Sequence, residues 1–129
     1  MAATAEQINA TIDAYVATFS AGDRSGYLAL WAPDATVEDP VGSEVAVGAD
    51  GIAAFWDGVR AMASEIELQR TGDARIVAGE AAWPMRAVTV IGDMKLSVEI
   101  IDVMSFDDEG QITSLRAFWD PANMVPYEG

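Results

Sequence analysis

The chain has 129 residues, with no cysteine and no histidine, and its 21 Asp and Glu against 7 Lys and Arg give a formal net charge of −14 at pH 7. The length fits one domain over residues 1–129, and the missing residue types exclude disulfides, thiolate or imidazole metal sites, and Ser-His or Cys-His nucleophile systems. A field of this sign opposes nucleic acid and anionic lipid as partners, and without a basic cluster the easiest ligand is a neutral, apolar small molecule.

Thr4 followed by Gln7 predicts a capping box at the start of a helix. Ile8, Ile12, Tyr15, Val16 and Phe19 then form one apolar stripe, and Gly22 is a natural stop. Asp23 predicts the cap of a second, shorter helix carrying Tyr27, Leu28 and Trp31 and ending before Pro33. Residues 35–39 are predicted to be extended, closed by a turn at Pro40 and Gly42. A third helix is expected over 50–62, with Ile52, Phe55, Trp56 and Val59 on one face. Strands follow at 65–71, 73–78, 80–91, 94–106 and 111–119, with hairpin turns at 92–93 and 107–110. Pro84 marks a bulge or an edge within the third of these.

Helices first and antiparallel strands later is an α+β order. The expected shape is a cone, one curved antiparallel sheet wrapped around the long N-terminal helix, with two further helices and an internal cavity. Hydrophobic residues make up 51% of the chain, enough to fill a core and line a pocket. No apolar run approaches the ~18 residues of a membrane span. The N-terminus lacks the basic and apolar segments of a secretory signal, so a soluble, cytoplasmic protein is expected.

Without histidine, proton-transfer chemistry falls to carboxylates, tyrosines or Lys95. On strand 94–106, alternation places Asp102 on one face with Leu96, Val98, Ile100, Met104 and Phe106. A carboxylate buried there escapes a large desolvation cost by keeping its proton, and then donates a hydrogen bond. The structural alternative is an ion pair with arginine or a capped bulge. Arg116 is the candidate partner, and it has the opposite parity to Trp119. Tyr15 lies within the first helix's stripe; it is either a core residue or a phenol that donates to an oxyanion. Asp39 precedes Pro40, which has no N–H to hold the carboxylate, so Asp39 is either a plain turn residue or a base with few donors.

The run Thr36-Val37-Glu38-Asp39-Pro40-Val41-Gly42-Ser43 resembles the base-bearing segment of bacterial Δ5-3-ketosteroid isomerases. The likeness extends to Tyr15-Val16, Ala21-Gly22-Asp23, Ile101-Asp102 and Arg116-Ala117-Phe118-Trp119. It implies the cone-shaped fold of nuclear transport factor 2, a homodimer, a steroid-like substrate and no cofactor or metal. By this resemblance Asp39 is the base, and Tyr15 and Asp102 are the donors to the dienolate oxygen. A carboxylic acid held neutral by an apolar site is the established pattern of that family and is carried over with the resemblance. The implied substrate pocket comprises Phe19, Trp31, Trp56, Met85, Val98, Ile100, Met104, Leu115, Trp119 and Met124. The outward mixture of Arg86, Glu99 and Arg116 with Val88, Ile101 and Phe118 suits a dimer interface. The chain departs from the family at Trp31 and Trp56, where further tyrosines are usual, because an indole donates one hydrogen bond but cannot relay one.

Other activities share that fold. An epoxide hydrolase or polyketide cyclase would want an arginine bridging two aspartates. The dehydratase branch relies on histidine. A non-catalytic steroid or lipid carrier would have no use for Asp39, Tyr15 and Asp102 together.

Overall fold

The computed structural model describes residues 1–128. Helix α1 (Ala5–Ala21) opens with the expected capping box: the Gln7 amide donates to the Thr4 hydroxyl (3.1 Å) and the Thr4 amide donates to the Gln7 side chain (2.8 Å). It ends at Gly22, whose left-handed φ of 70° is the glycine conformation of a helix C-terminus. Ile8, Ile12, Tyr15 and Phe19 are its buried stripe. Asp23 caps α2 (Arg24–Leu28) through the Gly26 amide (3.0 Å). Helix α3 (Gly48–Met62) buries Ile52 and Trp56.

The strands are β1 (Trp31–Glu38), β2 (Ala46–Val47), β3 (Glu65–Arg70), β4 (Arg75–Val77), β5 (Glu80–Ile91), β6 (Met94–Phe106), β7 (Ile112–Phe118) and β8 (Val125–Pro126). They form one sheet in the order β2-β1-β7-β6-β5-β3; β4 also pairs with β5, and β8 with β6. The sheet covers α1 and α3 on one face, and the α+β architecture is the one expected. No helix among the described residues is long and apolar enough to cross a membrane.

Three expectations need correction. The sheet is mixed rather than wholly antiparallel, because β1 runs parallel to β7. Parallel neighbours are joined through distant chain, so no hairpin signal announces them. Second, Trp31 starts β1 instead of ending the second helix, since its register partner is Ile112 and α2 stops at Leu28. Pro33 is tolerated because the β1–β7 register breaks between Trp31 and Thr36, where no ladder donor is needed. Third, the strand expected over 73–78 is only the three residues of β4.

Pro84 has a simple place. Its carbonyl accepts from the Thr71 amide (3.1 Å), just past the end of β3, and the next partner on that side is β4 at Ala82. The missing N–H therefore faces the gap between two short neighbours rather than a continuous strand.

Candidate active site

The inner face of the sheet and one side of α1 and α3 enclose a cavity of about 380 Å³. Phe19, Met85, Val98, Ile100, Trp119 and Met124 line it as expected, together with Tyr15 and Asp39. Trp31, Trp56, Met104 and Leu115 do not; all four are buried in the packed core. The reason lies in the aromatic cluster that closes the cavity. Tyr15 packs against Tyr27, Trp31 and Trp83 with ring centroids 5.7, 6.4 and 6.0 Å away. Trp56 stacks behind Phe19 and against Tyr27. Met104 and Leu115 are register partners one step beyond Asp102, on the sealed side of that cluster.

β6 alternates as the sequence predicts. Val98 and Ile100 reach the cavity wall, and Asp102 follows them on the same face with no exposed surface. Neither carboxyl oxygen has a hydrogen-bond partner among the described residues. Its neighbours across the sheet are Trp83 on β5 and Ala117 on β7. Burial, reinforced by the negative charge of Asp39, holds the Asp102 carboxyl well above the usual carboxylate range. That cause favours the protonated acid.

No guanidinium among the described residues pairs with it. Arg116 points to the other face and binds Glu38 (3.0 Å), and the remaining arginine ion pairs are Arg24–Asp57, Arg70–Asp13 and Arg86–Glu99. Arg60 packs behind the cavity-wall residue Phe19. It lies over the rings of Phe19 and Trp56 and donates to the Phe19 carbonyl.

Asp39 lies just past the end of β1, at the level of Asp102. Glu38 is the register partner of Arg116, and Val41 donates to the Ala117 carbonyl opposite Asp102. Glu38 fixes the following turn by accepting from the Gly42 amide (2.9 Å) as well as from Arg116. Asp39 itself is half-buried and accepts one hydrogen bond, from the Trp119 indole at 2.6 Å. Burial pushes its carboxyl up and the indole N–H pulls it partly back. A carboxylate with one donor is more basic than one held by several.

Tyr15 presents its phenol to the same end of the cavity. Burial first, and then the neighbouring acidic groups Asp102, Tyr27 and Asp39, hold its hydroxyl well above the ordinary phenol range, so it is a donor throughout neutral pH. Tyr15 and Asp39 thus share the cavity wall, and Asp102 lies buried just beyond it, near enough for the three groups to influence one another. Tyr27 was assigned no role by the sequence, since its helix is too short to show a stripe. Its hydroxyl is buried beside Tyr15 without a hydrogen-bond partner among the described residues, and burial holds it well above the ordinary phenol range. A second hollow of about 430 Å³, bordered by Ser20, Arg60, Glu67 and Lys95, is polar and holds none of the trio.

Fold and enclosure define a class. Residues 12–115 match the SnoaL-like domain model, and the chain belongs to that family, within the nuclear transport factor 2-like folds. It is 42% identical over 119 residues to a steroid Delta-isomerase of Nocardioides simplex, covering 92% of this chain and 94% of the relative. On that identity the chain is an isomerase of this superfamily. Two solved structures share the fold at lower identity. One is SalBIII, an epoxide hydrolase/cyclase-like enzyme in pyran ring formation in polyether salinomycin (20% identity, TM-score 0.85, 95% of this chain and 97% of that one). The other is RV0760c from Mycobacterium tuberculosis (22%, TM-score 0.84, again 95% and 97%).

Proposed function

We propose that the chain is a steroid Δ5-3-ketosteroid isomerase that moves the ring double bond into conjugation by intramolecular proton transfer. The observation that carries this reading is the placement of Tyr15 and Asp39 in the wall of an otherwise apolar cavity, with the fully buried, partnerless carboxyl of Asp102 next in phase on β6 after the wall residues Val98 and Ile100. Ionised Asp39 removes a proton from C4 of a 3-oxo-Δ5-steroid. Negative charge develops on the C3 oxygen, and two neutral donors, the Tyr15 phenol and the Asp102 acid, offset it in a water-poor site. Asp39 then returns the proton to C6. One base suffices because the proton never leaves the substrate, so the step needs no cofactor or metal. An ionised Asp102 would repel the developing charge.

The test is ultraviolet monitoring of 5-androstene-3,17-dione as it becomes conjugated. Turnover by the wild type supports the reading; steroid binding without conjugation rejects it and leaves a carrier. The hydrolase or cyclase reading has less support, since no arginine among the described residues pairs with Asp39 or Asp102.

The indole bond to Asp39 gives a signed prediction. The Trp119 N–H lowers the Asp39 pKa, so Trp119→Phe raises it. The acidic limb of the kcat/KM profile, which reports the ionised base of the free enzyme, moves to higher pH. An unmoved limb means that the bond does not tune the base.

The homodimer is also a proposal. Ile101 and Phe118 are register partners on the outer face of the sheet, exposed at 45% and 43%, with Arg116 lying over the Phe118 ring. Paired exposed apolar groups ringed by charge suit a self-complementary contact. Phe118→Asp is expected to give monomers in sedimentation analysis; an unchanged sedimentation coefficient places the contact elsewhere.

A further inference from the structure

The cavity wall is hydrocarbon except around Asp39 and Tyr15 and at one further position, Thr89. On β5, Thr89 is in phase with Met85, Ala87 and Ile91, which all line the cavity, so its Cβ points inward. Its hydroxyl oxygen is sealed from solvent and has no hydrogen-bond partner among the described residues. A valine would fill the same space without leaving a polar group unsatisfied. Rotation about χ1 exchanges the methyl and hydroxyl of a threonine, and strands accept more than one such rotamer. The hydroxyl is therefore one bond rotation from facing the cavity.

Register fixes how far this group lies from the chemistry. Trp83 is opposite Asp102, whereas Thr89 is opposite Leu96 on β6 and Ile66 on β3. The intervening stretch of β5 is about 20 Å at the usual strand rise. Tyr15 and Asp39 line the cavity, and Asp39 lies near the level of Asp102. The hydrogen-bonding groups lie apart along the cavity wall, Tyr15 and Asp39 toward the Asp102 side and Thr89 toward the other, with Met85, Ala87, Val98 and Ile100 between them. A flat four-ring skeleton with an oxygen at each extremity matches that distribution.

Resting on the isomerase reading, we infer that the Thr89 hydroxyl donates to an oxygen at the end of the substrate remote from the reacting ketone. The enzyme thereby selects steroids with an oxygen at C17 over those bearing only hydrogen there.

The experiment compares 5-androstene-3,17-dione with 5-androsten-3-one, which lacks the C17 oxygen, in wild type, Thr89→Ser and Thr89→Val. A net hydrogen bond of ordinary strength makes the wild-type ratio of kcat/KM values exceed that of Thr89→Val by about three- to tenfold. Thr89→Ser keeps the wild-type ratio. Thr89→Ala supplies a second hydroxyl-free variant should Thr89→Val not fold. Equal ratios in wild type and the hydroxyl-free variants overturn the inference while leaving the isomerase reading intact. Equilibrium dialysis of the conjugated Δ4 counterparts gives the same comparison for binding. If wild type converts neither substrate, the isomerase reading fails, and the dialysis ratios still decide the role of Thr89.

Discussion

Asp39→Asn will bind 5-androstene-3,17-dione within a few-fold of wild type and convert it about 10³- to 10⁴-fold more slowly. The magnitude sits toward the upper end of what a positioned proton-transfer group contributes, because no histidine is present and no other carboxyl lines the cavity among the described residues. Binding is spared for a geometric reason. The amide has the shape of the carboxylate, Trp119 can still donate to its oxygen, and the apolar wall that holds a steroid is untouched. Stopped-flow binding and the conjugation assay together separate the two quantities. Parallel losses of affinity and rate would make Asp39 a structural turn residue, as its Asp-Pro context alone suggests.

Tyr15→Phe is expected to lower turnover by about a hundredfold or more, the usual effect of deleting one oxyanion donor. The variant should fold, because the ring keeps its contacts with Phe19, Tyr27, Trp31 and Trp83. Affinity for the ground-state ketone should change much less than the rate, since the hydrogen bond strengthens only as charge develops on the oxygen. A loss of only a few-fold would mean that another donor has moved in. Tyr27 is the candidate, being the unpaired phenol packed beside Tyr15.

What was legible in the sequence follows from the range of each signal. The capping box at Thr4, the stop at Gly22 and the inward placement of Asp102 are local or periodic, and all three hold. Parity also put Arg116 on the far face from Asp102, where it meets Glu38. The parallel partner of β1 was not legible, since no turn joins β1 to β7. The Trp119–Asp39 hydrogen bond joins residues 80 positions apart; the sequence placed both near the pocket but gave no signal of their contact. Trp31 was misplaced because Pro33 suggested a helix end, whereas a broken register in β1 accommodates it. Trp31, Trp56, Met104 and Leu115 have the right composition for a pocket wall, and only the closure of the cavity at the Tyr15 cluster assigns them to the core. Thr89 carried a readable signal, its phase with Met85, which its polar character concealed.

Stabilisation of the dienolate depends most on the proton of Asp102. Carboxyl-carbon NMR of protein labelled at aspartate, with Asp102→Asn to assign the resonance, reads that proton directly. The resonance is expected to stay at the position of a protonated acid from about pH 5 to 8. A resonance already at the carboxylate position at neutral pH would contradict this role, because an ionised Asp102 cannot donate to a developing oxyanion.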